Sequence, residues 1–264
     1  MIKYLFVLFI AVTISSCSPY QKALKSEDVS LKYEQAEKKY DAKKYSKAIR
    51  LFEQLAPAFR GKPQSEKMFY MYAQCYYKTE QYYLGSYQFE SFVSSYPKSE
   101  KVEEAAFLVG KCNSMLSPPY SLDQTETVKG IEKLQTFIDT YPNSMYLPEA
   151  NAILKTLTGK IEKKYFEIAK QYNTISDYKA ALVALNNFID EYPGTPYKEA
   201  ALYYRLDSAY KLAINSVPAK MEERLKNAKA AYSNLVKFKV DSEYKAKADE
   251  MLAKIDEELK QFSK

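Results

Sequence analysis

Histidine and tryptophan are absent from this 264-residue chain, glycine occurs six times and cysteine three times. Without histidine, the commonest general base and the commonest metal ligand are missing. Cys75 and Cys112 stand singly, so no clustered thiolate site arises. There is no glycine-rich phosphate loop. Adjacent carboxylates occur at Glu103-Glu104, Glu222-Glu223 and Glu257-Glu258, but neighbours on a helix point about 100° apart, so these pairs read as solvated faces. The expectation is a protein that is not an enzyme, with no catalytic residue, metal or cofactor. Charge of one sign is never concentrated either. The 39 Lys and Arg interleave with 33 Asp and Glu, giving a net charge of +6 without a run of five like charges. That pattern is a solvated helical surface, and it lacks the basic stripe that nucleic-acid binding needs. What is plentiful is apolar and aromatic material: 47% hydrophobic residues, 26 Tyr and 13 Phe. Such a chain can bury a core.

Long hydrophobic runs are also missing, with one exception at the N-terminus, MIKYLFVLFIAVTISSC. Lys3 precedes an apolar run from Tyr4 to Ile14. Eleven residues are too few to span a bilayer comfortably and suit the core of a signal peptide. The run ends at Ser15-Ser16-Cys17, which resembles the lipobox of bacterial lipoproteins. There, cleavage precedes the cysteine, and the thiol and new amino group are acylated. The resemblance implies a signal peptide over 1–16, a lipidated Cys17 and a tether over 17–28. Loss of Lys3 leaves 38 basic against 33 acidic residues, a net charge of +5. Several acyl chains anchor a protein far more firmly than one. Ser18 after the cysteine, by family analogy, implies the outer membrane. The lack of an early acidic run points to its periplasmic face. The alternative is an ordinary secretory signal with an incidental cysteine.

One eight-residue phrase is written three times: FVSSYPKS at 92–99, FIDTYPNS at 137–144 and FIDEYPGT at 188–195. Phe92 and Tyr96 are four apart and share a helix face, as do Phe137/Tyr141 and Phe188/Tyr192. Pro97, Pro142 and Pro193 disfavour helical backbone at the preceding tyrosine and stop the helix there. Ser99, Ser144 and Thr195 are expected to N-cap the next helix. Upstream of each stop stands a small residue with a large one four later: Gly85/Phe89, Gly130/Leu134 and Ala181/Leu185. Ala48/Phe52 and Ala228/Tyr232 extend this to five copies, spaced 37, 45, 51 and 47 residues apart. The unit resembles the tetratricopeptide repeat, a helix pair with a closing proline. Ala36, Ala73 and Ala169 occupy its small position on the first helix. This predicts an all-α solenoid of five helix pairs over 29–264, with repeats near 29–62, 63–97, 98–142, 143–193 and 194–245 and a C-terminal helix over 246–262. Stacked pairs bury what one pair cannot; a single compact bundle is the alternative. The Pro-Pro within 114–127 requires a long loop between the helices of the third pair, and 215–220 interrupts the fifth. Cys75 and Cys112 are equivalent positions one repeat apart, farther from each other than a disulfide permits.

Counting three before and four after Ala36 and Ala73 places Tyr33, Tyr40, Tyr70 and Tyr77 on the inner side of the first two repeats. Tyrosine there offers a rigid contact surface with a hydroxyl, suited to holding an extended peptide. The competing reading is that these rings only fill space between helices. The fourth repeat follows the pattern less well, with Phe166 and Asn173.

Lipobox and repeats together resemble the BamD family of outer-membrane assembly lipoproteins. The stretch 122–146, LDQTETVKGIEKLQTFIDTYPNSMY, is similar to that family's third repeat, 165–195 to its fourth and 33–49 to its first. The departures are Arg60 in a proline slot, a longer fifth unit and a charged C-terminal helix. The resemblance implies a scaffold whose N-terminal repeats receive the C-terminal strand of unfolded outer-membrane β-barrel proteins. Its C-terminal repeats would dock on the periplasmic domains of a BamA-like barrel insertase, with other assembly lipoproteins as further partners. The runner-up is a periplasmic repeat lipoprotein organising cell-envelope or peptidoglycan enzymes, which would lack the Asp-Gln-Thr third repeat. A glycan-binding lipoprotein would need a much longer chain.

Overall fold

The computed structural model describes residues 18–60, 62 and 65–262; Cys17 and the signal peptide lie outside them. Twelve helices, and no strand, occur among the described residues: α1 (Pro19–Lys25), α2 (Val29–Asp41), α3 (Tyr45–Phe59), α4 (Glu66–Lys78), α5 (Tyr82–Ser95), α6 (Val102–Met115), α7 (Thr125–Thr140), α8 (Leu147–Thr174), α9 (Tyr178–Glu191), α10 (Lys198–Ile214), α11 (Pro218–Phe238) and α12 (Lys245–Lys260). The fold is an all-α, tetratricopeptide-like solenoid. Its five hairpins are α2–α3, α4–α5, α6–α7, α8–α9 and α10–α11, and α12 follows. None of the described helices is long and apolar enough to cross a membrane. The chain divides into two compact units, one comprising residues up to 118 with 125–157, the other 119–124 with 158–264.

In the first unit the small–large register sets the helix spacing. Ala48, Phe52, Phe89, Phe92, Leu134 and Phe137 are essentially inaccessible, and each such Phe or Leu contributes about 2 kcal/mol by burial. At Gly110 a Cβ would lie 2.7 Å from Leu134 Cδ2, and at Gly130 it would lie 3.0 Å from Leu157 Cδ1. Only glycine permits helices to approach that closely. Hairpins one and two turn through a Schellman motif. In the first, the Lys44 amide reaches back to the Lys39 carbonyl and the Lys43 amide to Tyr40; in the second, Gln81 reaches Tyr76 and Glu80 reaches Tyr77. The residue after the cap, normally glycine, is Lys43 at φ 56° and Glu80 at φ 59°.

In the second unit, Phe166, Ala169, Ala181, Leu185, Phe188 and Ala201 form one cluster. Leu202, Leu206, Leu225, Ala228, Leu235, Ala248 and Ile255 form another. Ser176 repeats the left-handed turn at φ 64°. Pro218 opens α11 at its first position, where its missing N–H costs nothing. The C-terminal helix α12 buries Ala248, Met251 and Ile255.

Three expectations need correction. The described part of the expected tether, 18–28, is not simply a tether: Ser18 caps α1 through the Gln21 amide, and Tyr20 and Ala23 are buried in the core of the first repeat. The apolar Tyr20 and Ala23 reward docking, so the segment folds. Second, Ser99, Ser144 and Thr195 do not cap the following helices. Their hydroxyls accept from the amides two residues on, Lys101, Tyr146 and Tyr197, and open a turn that precedes the α-helix. Ser99 and Ser144 also donate backward, to Glu66 and Glu103 in the first turns of α4 and α6. Each serine thus ties its repeat to the one before. Third, the fifth copy departs from the pattern. Tyr232 is only partly buried and its hydroxyl donates to Asp249 at 2.7 Å, while Leu235, one turn on, is the inaccessible residue.

Candidate functional site: the tyrosine-lined face of the first unit

Tyr33 and Tyr40 lie two turns apart on α2, and Tyr70 and Tyr77 two turns apart on α4. All four are half-buried. Each ring packs within its own hairpin: Tyr33 stacks on Phe59 at 5.7 Å, Tyr40 meets Tyr45 edge-on at 5.8 Å, Tyr70 meets Phe92 at 5.5 Å and Tyr77 meets Tyr82 at 6.1 Å. The rings therefore do fill space between paired helices.

Their hydroxyl ends have other company. Burial, reinforced by hydrogen bonding to Glu37, raises the Tyr33 hydroxyl above its ordinary value. Glu37 is in turn paired with Lys67 on α4, at 2.7 Å. Burial and then Glu104 on α6 raise Tyr70, which accepts a hydrogen bond from the Gln74 amide at 2.8 Å. Burial pushes Tyr40 up to about 12, with smaller contributions from the surrounding groups Cys75, Tyr45, Asp41 and Glu104. Glu104 thus acts on tyrosines from both α2 and α4. Around Tyr77, Lys111 of α6 lies 5.9 Å from the ring centroid and pairs with Glu149 at 2.6 Å. Burial lowers the Lys111 ammonium, but hydrogen bonds to Glu149 and Tyr77 outweigh it and leave the net shift upward. The first helices of consecutive hairpins are therefore laced by tyrosine hydroxyls, carboxylates and ammonium groups.

The corresponding positions of the fourth hairpin behave differently. Phe166 is buried and stacks on Tyr197 at 5.3 Å. Asn173 is buried and donates to Asp207 and Ser208. Both belong to the interior of the second unit.

Sequence reasoning missed the charged partners of the tyrosines. Their signal was a lysine or acid in the next repeat, one among many in an evenly charged chain. It also missed a cavity of about 460 Å³ between α3 and α5, lined by Glu53, Arg60, Tyr72, Tyr87 and Tyr96 among others. Glu53 there accepts from Tyr76, whose hydroxyl meets that of Tyr72 at 2.8 Å. Among the described residues no cluster of acids and cysteines has metal-site geometry.

Helix hairpins in a repeated small–large register, with aromatic and polar side chains along their first helices, define a tetratricopeptide-type repeat protein. The chain belongs to the YfiO family of outer membrane lipoproteins, whose profile matches residues 25–223 and 159–262. It is 23% identical over 228 residues to the outer membrane protein assembly factor BamD of Pasteurella multocida, covering 83% of this chain and 87% of the relative. The BamD of Haemophilus influenzae is 21% identical over 226 residues, covering 82% and 86%. That of Neisseria gonorrhoeae is 23% identical over 225 residues, covering 79% and 84%. Among solved structures, the TPR2AB-domain:pHSP90-complex of yeast Sti1 aligns with a TM-score of 0.40 at 15% identity over 86% of this chain and 98% of that one. That likeness is too loose to carry an argument.

Proposed function

We propose that this protein is a non-catalytic scaffold of outer-membrane β-barrel assembly, anchored on the periplasmic face through acylated Cys17. Its first unit would hold extended segments of unfolded barrel proteins along Tyr33, Tyr40, Tyr70 and Tyr77. Its C-terminal repeats would dock on the periplasmic domains of the barrel insertase, alongside other assembly lipoproteins. The family and the role its relatives are named for support the assembly reading. The observation that carries the groove is positional. Two successive repeats place tyrosine at the same two inner positions, with the Tyr70 and Tyr77 hydroxyls toward the next hairpin, whereas the fourth hairpin buries those positions. A β-strand segment alternates its side chains every ~3.3 Å. Its apolar face could lie on the ring edges while its backbone amides meet hydroxyl and carboxylate acceptors.

The test is the affinity of a fluorescent peptide copying a barrel protein's terminal strand, measured by anisotropy on the mature chain. Central aromatic contacts are worth about 1–3 kcal/mol each, so Tyr40→Ala plus Tyr77→Ala should weaken binding at least tenfold. Unchanged affinity in the folded double variant removes this face from the mechanism.

A further inference from the structure

The charges that alternate along the sequence are not spread evenly in the fold. Residues 18–50 hold nine Lys and Arg against five Asp and Glu, so four of the five surplus charges of the mature chain fall there. They fold as α1 and the first hairpin. Three of the five acids are engaged: Glu34 pairs with Lys38, Glu37 pairs with Lys67, and Asp28 accepts from the Ser30 and Leu31 amides as the cap of α2. Glu27 and Asp41 remain. Lys22, Lys25, Lys39, Lys43, Lys44 and Lys47, by contrast, belong to no ion pair among the described residues.

Four of these lysines meet at the turn of the first hairpin. Lys43 and Lys44 lie in the turn and are exposed. Lys39 stands near the end of α2 and Lys47 near the start of α3, and each places its ammonium 5.5 Å from the centre of the Tyr20 ring. Tyr20 is buried in the core with Ala36 and Ala48. The N-terminal end of α1 is therefore pinned at this turn. Cys17 precedes Tyr20 by three residues, at most about 11 Å of extended chain. Between residues 38 and 47 the only acid is Asp41, against Lys38, Lys39, Lys43, Lys44 and Lys47.

A lipid surface is the occupant that fits this place. The chain belongs to a family of outer membrane lipoproteins, and the patch stands beside the residue that would carry the acyl chains. An anionic leaflet attracts basic side chains lying within a Debye length, about 8 Å, by about fivefold in partitioning for each. Resting on the anchor reading for the nearness of Cys17, we propose that the turn of the first hairpin lies on the surface of a bilayer containing anionic lipids, held there by Lys39, Lys43, Lys44 and Lys47. The acyl chains supply attachment, and the lysines supply orientation. Because α1 is docked, little slack separates the anchor from the first repeat, and the patch turns the hairpin's end toward the headgroups.

The experiment uses the mature chain with Cys17→Ser, which carries no acyl group. It is sedimented with vesicles of pure phosphatidylcholine, or of phosphatidylcholine with about 30% phosphatidylglycerol. At about 50 mM NaCl the anionic vesicles should bind at least about a hundredfold more strongly, and about 500 mM NaCl should remove most of the difference. Lys43→Gln plus Lys44→Gln, at exposed turn positions, should weaken binding to the anionic vesicles about twenty-fivefold, about fivefold for each charge. Lys247→Gln plus Lys254→Gln, exposed on α12 and outside its ion pairs, remove the same charge and should weaken it about twofold at most. Equal binding to the two vesicles overturns the proposal. So does an equal loss in both double variants, which would make net charge the cause and leave the patch to some soluble acidic partner. If the chain ignores anionic vesicles while the native protein takes up labelled palmitate, the anchor stands and the patch falls. Patch-dependent vesicle binding without palmitate uptake would refute the anchor and leave the lipid contact standing on its own charges.

Discussion

Replacing glycine by alanine should have opposite effects at two helical positions of this protein, and the structure says which and by how much. At Gly110, on α6, a new Cβ would stand 2.7 Å from Leu134 Cδ2, 2.9 Å from Cγ and 3.3 Å from its Cα. Leu134 is inaccessible to solvent, so its side chain has nowhere to retreat, and the new methyl would also press on the backbone of α7. The hairpin must open or rotate. Overpacking of this kind costs about 1–3 kcal/mol, against a gain of about 1 kcal/mol in helix propensity from removing glycine. Gly110→Ala should therefore destabilise by about 1 kcal/mol net. At Gly159, inside α8, nothing lies within 4 Å of the added Cβ. Gly159→Ala should keep the full propensity gain and stabilise by up to about 1 kcal/mol. For a chain of this size 1 kcal/mol moves the midpoint of thermal unfolding by about 2–4 °C. Melting curves of both variants should bracket the parent curve, with Gly110→Ala below it. A Gly110→Ala protein that melts at or above the parent temperature would refute the argument that close approach at this residue sets the spacing of the third hairpin.

Three further outcomes follow from particular residues. Lys43 and Glu80 hold the left-handed position of their Schellman turns at a cost of about 1–2 kcal/mol each, so Lys43→Gly should raise the melting temperature slightly, and a lowered one would contradict the turn geometry. Burial pushes the Cys75 and Cys112 thiols up to about 12 from an ordinary value of 9.0. Both should resist alkylation until the protein is denatured. Because the folded values are raised, their stabilising contribution is intact below pH 9 and is lost toward pH 12 at up to about 1.4 kcal/mol per pH unit for each thiol. A urea midpoint that stays level between pH 8.5 and 11 would show that neither thiol is shielded. Finally, Cys17→Ser should leave an unprocessed, slower-migrating precursor that takes up no labelled palmitate; normal processing of that variant would end the lipid-anchor proposal.

The hairpins were legible because their signals are local and steric. Proline after Phe-x-x-x-Tyr can only end a helix, and a small residue four before a large one can only face a neighbouring helix. These constraints survive any detail of tertiary packing. What escaped the sequence depends on partners distant along the chain. Ser99 looked like a helix cap because a cap is the commonest use of serine before an acidic turn. Its actual partners are the Lys101 amide and Glu66, 33 residues earlier. The α1 helix escaped for a related reason: seven residues carry too little periodicity to be read, and only docking of Tyr20 and Ala23 makes the segment fold. Gln124 shows the limit from the other side. It stood within a motif matched to a family, yet its use became visible only when its buried side-chain amide was seen donating to the Pro119 and Leu122 carbonyls of its own loop.

The two readings of the groove tyrosines prove to describe different atoms of the same side chains. The ring of Tyr70 meets Phe89 and Phe92 on α5 and belongs to the hairpin. Its hydroxyl reaches toward Glu104 on α6. Phenylalanine at this position would keep the first role and lose the second, which is the situation at Phe107 and Phe166. Both of those are buried, with a lysine over the ring, Lys111 and Lys170 respectively. A solenoid needs only ring bodies to hold its hairpins together. The hydroxyls of the first two hairpins add polar ends that the burial of their rings does not require, and α10 of the second unit does the same with the half-buried Tyr203 and Tyr210. Tyr70→Phe is the informative complement to alanine: the ring contacts remain, the buried Gln74 amide loses its acceptor at a cost of about 1–3 kcal/mol, and a loss of peptide affinity in the folded variant comes from the hydroxyl end.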